Sequence, residues 1–154
     1  MTELSSLAFS GCTSLTSVII PDNVTNVGNN AFDGCDALKK VTFAGSSVTI
    51  DNAAFNNCSS LESVILPSAL KKIPERMFYG CRALSSIEIP STVTSIGKAA
   101  FNECTSLKKV VIPGKATKIP LTGGFTDWVH TPAQRGYDIR TTIDIDIQDI
   151  ADRA

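Results

Sequence analysis

A strict 23-residue period runs through most of this 154-residue chain. All five cysteines lie 23 residues apart, and five further apolar positions recur in the same phase. A fixed period in this range is typical of a solenoid, in which each repeat forms one coil that stacks on the next coil. The two most regular columns are Cys12, Cys35, Cys58, Cys81 and Cys104, and Phe9, Phe32, Phe55, Phe78 and Phe101.

One repeat reads A-F-x-x-C-x-x-L-x-x-V-x-I-P-x-x-V-T-x-I-G-x-x. The V-x-I piece alternates as a strand with one buried face does, and the proline after it ends that strand. The V-T-x-I piece predicts a short return strand on the opposite wall. The A-F-x-x-C piece predicts a helical turn or an irregular segment. No repeat buries its apolar side alone, so we expect coils stacked about 4.8 Å apart to stabilise one another.

The period and the charge both change near residue 121. Residues 1–121 carry 11 basic and 9 acidic side chains, whereas residues 122–154 carry 3 basic and 6 acidic ones. The phenylalanine column also fails there, because the position 23 residues after Phe101 is Gly124. We therefore predict a solenoid over residues 1–121 and a non-repeat tail over residues 122–154 that covers its C-terminal end. The first repeat begins in mid-phase without a polar cap or a signal peptide, so we expect truncation at the N-terminal end.

Composition limits the classes of function. Apolar residues make up 43% of the chain and charged residues 19%, which is enough apolar material for a packed core. The net charge of −1 gives no indication of nucleic-acid binding. No apolar run approaches the roughly 20 residues that a membrane span needs, so we expect no membrane insertion.

The cysteine column has no pattern typical of catalysis. Zinc ligands come in close pairs such as C-x-x-C, and the sequence has no such pair. Stacked cysteines would lie within reach of a disulfide, but their side chains would point the same way into the core. We predict free, buried thiols that act as small apolar residues, with a disulfide or a metal as alternatives. The single histidine, His130, has no positioned nucleophile, and the lack of a glycine-rich phosphate loop leaves no cofactor to expect.

The outward positions of the V-x-I strand form two columns, which we name the first and second outward columns. The second is unusually apolar for an exposed face, and such a stripe with polar neighbours is typical of a partner-binding surface. The alternative is that β-branched residues occur there only because they form strands well. Weak positive patches lie near both ends of this face, and such charges are more often only solvated; they are Lys39, Lys40, Lys108 and Lys109. The first outward column is Ser17, Lys40, Ser63, Ser86 and Lys109, and the second is Ile19, Thr42, Ile65, Glu88 and Val111.

The columns A-F-x-x-C-x-x-L-x-x-V-x-I-P-x-x-V-T-x-I-G closely resemble the BspA-like leucine-rich repeats, a 23-residue class found on bacterial surface proteins. The resemblance covers about residues 4–121 and rests on five copies in phase. It implies an α/β, β-rich leucine-rich-repeat solenoid, a right-handed superhelix with a parallel sheet on one face. Family members are typically adhesins, not enzymes, that bind host matrix proteins or other cells. This resemblance also implies a cell-surface or secreted protein, but it carries no specific binding residues over to this chain.

The tail resembles a second family. "GYDIRTTIDIDIQDIADRA" is similar to the start of the transpeptidase domain of penicillin-binding proteins, and the similarity covers Thr131 to Ala154. The nucleophilic serine and later motifs of such a domain are missing, and we interpret the S-x-x-K matches inside the repeats as coincidental. Three alternatives stay open for the tail, namely a fusion remnant, a junction to a lost domain, or a chance similarity.

Two main functions remain as expectations from the sequence, and an inactive fragment related to the penicillin-binding proteins ranks below both. The first is a non-enzymatic adhesion module that recognises a protein or glycan partner on the outward columns. The second is a structural spacer that presents another domain. The sequence indicates neither the identity of the partner nor an oligomeric state.

Overall fold

The structure, a computed structural model, describes residues 2–111 as a stack of about four coils. These residues form ten short strands joined by turns, and they include no helix, so none of them forms a helix able to cross a membrane. The strands are β1 (Thr2–Leu4), β2 (Ser17–Ile20), β3 (Val24–Val27), β4 (Lys40–Phe43), β5 (Thr49–Ile50), β6 (Ser63–Ile65), β7 (Lys72–Ile73), β8 (Ser86–Glu88), β9 (Ser95–Ile96) and β10 (Lys109–Val111).

The strands form two walls of parallel pairs. The main wall contains β2, β4 and β6, followed by the pair β8 and β10. The return wall contains β1, β3 and β5, followed by the pair β7 and β9. Val18 lies opposite Val41, and Val41 lies opposite Val64, so the pairing advances by one repeat per coil. The predicted leucine-rich-repeat solenoid with a parallel sheet is therefore confirmed.

Each wall is interrupted at one junction within the described coils. On the return wall β5 is not paired with β7, and on the main wall β6 is not paired with β8. The coils remain joined there by their turns, because the amide of Phe55 donates to the carbonyl of Met77 at 3.1 Å and the amide of Asn57 donates to the carbonyl of Tyr79 at 2.7 Å. The stack is thus continuous even where its sheets are not.

The A-F-x-x-C segment forms neither a helix nor a strand, and we call its side of the solenoid the turn edge. Alternate amides donate to the next coil, as Phe32 does to the carbonyl of Ala54 at 2.8 Å. The amides between them donate within the coil, as Asp33 does to the carbonyl of Asn30 at 3.1 Å. Two backbone positions per coil have positive φ, and this left-handed geometry is incompatible with a continuing helix. These positions are Leu7, Asn30, Ala53, Arg76 and Ala99, and Gly11, Gly34, Asn57, Gly80 and Glu103.

The core between the walls is built from stacked identical positions. Phe32, Phe55 and Phe78 are fully buried, and neighbouring rings in the phenylalanine column have centroids 5.1 to 6.0 Å apart with interplanar angles of 5° to 16°. Phe43 meets the ring of Phe55 edge-on at 6.2 Å. Each ring therefore packs against the same residue of the coils before and after it.

Replacing Phe55 with alanine tests the ring stack. Phe55 contacts Phe32, Phe78 and Phe43, so its removal leaves a cavity at the centre of the core. We expect Phe55→Ala to lower the free energy of unfolding by about 3–5 kcal/mol, measured by urea denaturation. Phe9→Ala is the matched control, since Phe9 is 37% exposed, and it should cost clearly less. Equal losses of unfolding free energy in the two variants would contradict the conclusion that the buried rings of the stack stabilise the fold more than the exposed ring at its end.

Two adjacent buried alanines test the turn geometry. Ala53 has a φ of 56°, whereas the neighbouring Ala54 is not among the positive-φ residues. Left-handed geometry costs an alanine about 1–2 kcal/mol, which glycine avoids at an entropic cost of roughly 0.5–1 kcal/mol. We expect Ala53→Gly to be neutral or stabilising by up to about 1 kcal/mol, and Ala54→Gly to be destabilising by about 1 kcal/mol or more. Effects of the same sign and size in urea titrations would show that the turn is not held in this conformation.

Candidate functional site

The main wall turns one side of each strand outward. In β2, Val18 and Ile20 point toward the core, so Ser17 and Ile19 point away from it. Because the strands pair with a shift of one full repeat, each outward residue lies beside its counterpart in the next coil. Ile19 lies opposite Thr42, and Thr42 lies opposite Ile65. We call the resulting surface the strand face.

All ten predicted outward residues lie on these strands. Ser17, Lys40 and Ser63 align across β2, β4 and β6. The same two columns continue after the interruption, where Ser86 lies opposite Lys109 and Glu88 lies opposite Val111 in β8 and β10. Ser17, Lys40, Ser63, Ser86 and Glu88 are exposed and Thr42 is half-buried. The fold therefore brings the predicted residues onto one face, but in two groups separated by the junction of β6 and β8.

The second outward column holds the most exposed apolar groups of this face. Ile19 is 68% exposed and Ile65 is 53% exposed, with the half-buried Thr42 between them. Most large apolar side chains of the described coils are buried or half-buried, and the other two exposed ones, Leu7 and Phe9, belong to the first coil. The two isoleucines thus form an apolar stripe on an otherwise polar surface.

The lysines beside the strand face are not all free in solvent. Lys39 lies 3.9 Å from the carboxylate of Glu62 in the next coil, and both side chains are 62% exposed. An exposed pair at this distance contributes little to stability. The Glu62 carboxylate nevertheless offsets the positive charge of Lys39. In the first coils, Lys40 is then the cation of the first outward column.

A polar cluster on the turn edge was not predicted from the sequence. The hydroxyl of Tyr79 donates to Glu103, and the guanidinium of Arg82 lies 3.0 Å from the same carboxylate. The hydrogen bond from Tyr79, with the help of Arg82, lowers the pKa of Glu103, and the same bond raises the pKa of Tyr79. Arg76 lies over the Tyr79 ring at 5.9 Å. These groups are satisfied by one another, so the cluster fixes the orientation of turns and offers no reactive group.

The repeat length gives the signal that finds such contacts. Asn56 donates to Asp33 at 2.8 Å, and Ser59 donates to Asp36 at 3.1 Å, each across 23 residues. Polar residues one period apart lie side by side, so pairing them in the sequence would have predicted these bonds. Glu103 bonds residues 24 and 21 positions away, which the strict period does not reveal.

The cysteine column lies behind the turn edge. All five cysteines are free thiols; four are buried and Cys12 is half-buried. Each of the four buried thiols donates to the carbonyl of the phenylalanine 26 residues before it, at 3.0 to 3.2 Å, as Cys58 does to Phe32. Cysteine is therefore more than the small apolar spacer that the sequence indicated, because each buried thiol also joins its coil to the preceding one.

Burial keeps these thiols protonated. Desolvation raises the pKa of Cys35, Cys58 and Cys81, and it raises the pKa of Cys104 to about 12. A thiol is nucleophilic or metal-binding only as the thiolate. No group of three or more His, Cys, Asp or Glu side chains in residues 2–111 is arranged to hold a metal ion. His130 and the predicted transpeptidase-like segment lie outside the described residues.

The raised pKa of Cys104 predicts a loss of stability at alkaline pH. Its pKa rises from an ordinary 9.0 to about 12 in the fold, so the folded state holds the proton more tightly than the unfolded chain. The stabilisation is complete below about pH 9 and is lost as the pH approaches about 12. We expect the urea midpoint to fall across this window, and to fall less steeply in Cys104→Ala. If the urea midpoint of Cys104→Ala fell with pH as steeply as that of the parent chain, the loss of stability could not be assigned to the Cys104 thiol.

Comparison with known proteins agrees with the geometry. A family model described as "BspA type Leucine rich repeat region (6 copies)" matches residues 2–123. None of the curated protein sequences compared with this chain is significantly similar to it.

Three solved structures are similar to this chain in sequence and fold. A leucine-rich-repeat protein of Treponema pallidum is 32% identical with a TM-score of 0.67, over 74% of this chain and 52% of that chain. A leucine-rich-repeat protein of Bacteroides ovatus is 39% identical with a TM-score of 0.66, over 72% of this chain and 28% of that chain. A leucine rich cell surface protein of Faecalibacterium prausnitzii is 33% identical with a TM-score of 0.59, over 79% of this chain and 36% of that chain. This chain thus spans about half, or less, of those chains, and it belongs to the BspA-type leucine-rich-repeat family.

Proposed function

We propose that this chain is a non-enzymatic binding module of a bacterial surface protein, and that it recognises a protein or glycan partner on the strand face. The observation that carries this proposal is the exposure of Ile19 and Ile65 in one column of the main wall. Exposed isoleucines at equivalent positions two coils apart, with Thr42 between them, form apolar surface whose burial by a partner is favourable.

The strand face has the composition of an interface. Covering an isoleucine side chain contributes about 1.5–3 kcal/mol, so the two together supply an apolar centre but not a complete binding energy. Ser17, Ser63 and Lys40 surround that centre with hydroxyl and ammonium groups that can hydrogen-bond at the rim. An apolar centre with a polar rim suits a protein partner, or the apolar face of a sugar ring.

Two further observations support a surface binding module. One structure similar to this chain is described as a cell surface protein. In the described coils four of the five thiols are buried and hydrogen-bonded, and the charged turn-edge cluster is internally satisfied, so these groups are not free to react. The matched part covers 52% and 28% of two similar chains, so those chains have more residues than the part that matches the coils described here.

The proposal is tested by substitution on and off the strand face. The chain is measured by biolayer interferometry against purified extracellular-matrix proteins and on a glycan array, and any partner found is titrated with Ile65→Glu and Ile19→Glu. We expect each substitution to weaken binding about tenfold or more, since a carboxylate replaces a desolvated side chain. Ser47→Glu is the matched control, because Ser47 is exposed beyond β4, and it adds the same charge.

The outcome also separates the two expected functions. Unchanged binding in Ile19→Glu and Ile65→Glu, with circular dichroism intact, would overturn the strand face as the site. Absence of binding to every protein and glycan tested would favour a structural spacer that presents another domain.

A further inference from the structure

A cleft of about 380 Å³ opens on the strand face at the junction of β6 and β8. Ile65 and Pro90 contribute apolar surface to it, and the strand segments of the buried Val64 and Leu66 line its floor. Ile65 and Glu88 stand at the strand positions on its two sides. Its volume lies within the roughly 300–1,000 Å³ of small-ligand pockets. The cleft occupies the place where the main wall is interrupted.

The sequence explains one missing hydrogen bond at this opening but not the opening itself, because Pro67 removes the equivalent bond where β4 and β6 stay paired. In the first coils the amide of Ala44 donates to the carbonyl of Ile20 at 2.9 Å and closes the wall beyond the strand. The residue in the same position after β8 is Pro90, which has no N–H to donate to the carbonyl of Leu66. Strand pairing between β6 and β8 is lost as well, so no described donor reaches the carbonyl of Leu66.

The polar groups of the cleft are dominated by acceptors. Glu88 is exposed and forms no ion pair with any side chain described up to Lys108. Lys109 lies opposite Ser86 on β10, which pairs with the side of β8 away from the cleft. The carbonyl of Leu66 adds a second acceptor, and the hydroxyls of Ser68 and Ser91 lie at the rim.

We propose that this cleft binds a lysine side chain of a protein partner. The aliphatic stem of the lysine packs along Ile65 and Pro90, and its ammonium group, which has only donors, bonds the Glu88 carboxylate and the Leu66 carbonyl. Lysine suits this site better than arginine, because the two acceptors belong to different groups and do not form the single carboxylate fork that a guanidinium prefers.

This inference rests on the proposed function and deepens it, because it selects a protein over a glycan as the partner. It also explains why an acidic residue interrupts the second outward column. Ile65 and Glu88 lie at equivalent positions of neighbouring coils, so an apolar residue followed by a basic residue in the partner would meet them in order.

The test uses three short peptides and the 154-residue chain labelled with ¹⁵N. The peptides are acetyl-Gly-Lys-Gly-amide, its norleucine analogue, which keeps the stem and lacks the charge, and its glutamate analogue. Each is titrated to millimolar concentration while amide shifts of Ile65, Leu66, Glu88 and Ser91 are followed. We expect the lysine peptide to bind about threefold or more tightly than the norleucine peptide, and the glutamate peptide to give no shift.

Variants decide whether Glu88 is responsible. Glu88→Gln should weaken lysine-peptide binding by about threefold or more, while Glu75→Gln, at an exposed carboxylate in the turn after β7, should leave it unchanged. No shift with the lysine peptide, equal affinity for the norleucine peptide, or full binding in Glu88→Gln would each overturn the inference.

The two proposals fail separately. If a partner protein loses affinity with Ile65→Glu but the lysine peptide does not bind the cleft, the strand face stands and the lysine site falls. If the lysine peptide binds through Glu88 but no protein partner is found, the cleft chemistry stands and its biological use in partner recognition falls.

Discussion

The stack of coils depends on backbone hydrogen bonds that run from one coil to the next. On the turn edge the amide of Phe32 bonds the next coil, and the amide of Phe55 does the same one repeat later. These bonds form only if the same backbone geometry recurs at the same position in every coil. The 23-residue period meets that requirement, because it puts the same residue type at the same position of each coil. Equivalent side chains therefore stack on one another.

The core obeys the same constraint with different groups. Phenylalanine rings stack because one coil places each ring directly over the last, and buried thiols bond the carbonyls of the previous coil for the same reason. Cysteine suits this position because it is small, tolerates burial and still donates one hydrogen bond. Burial raises the pKa of these thiols and keeps them neutral, so the same packing that uses them for cohesion removes them from chemistry.

The surface is where the repeats differ, and the proposed function depends on those differences. Isoleucine at positions 19 and 65 and glutamate at position 88 occupy one column of equivalent positions. Pro67 and Pro90 stand where the first coils have Ala44, and neither can donate a backbone hydrogen bond. The strands stay paired at the junction of β4 and β6, whereas a cleft opens at the junction of β6 and β8. A cleft thus lies on an otherwise regular stack of coils, at a place where the repeats differ.

The sequence by itself determined that the chain forms a stack of coils. Apolar residues that recur every 23 positions are all buried together when each repeat forms one coil. The sequence located the strands, the inward residues such as Val64 and the outward residues such as Ile65. The sequence did not determine the turn edge, since left-handed φ values at residues as different as Arg76 and Glu103 are imposed by neighbouring coils and not by local preference. Nor did it reveal where the walls open, because strand pairing between β6 and β8 depends on how whole coils lie against each other. Whether β6 and β8 pair was therefore decided only by the tertiary structure.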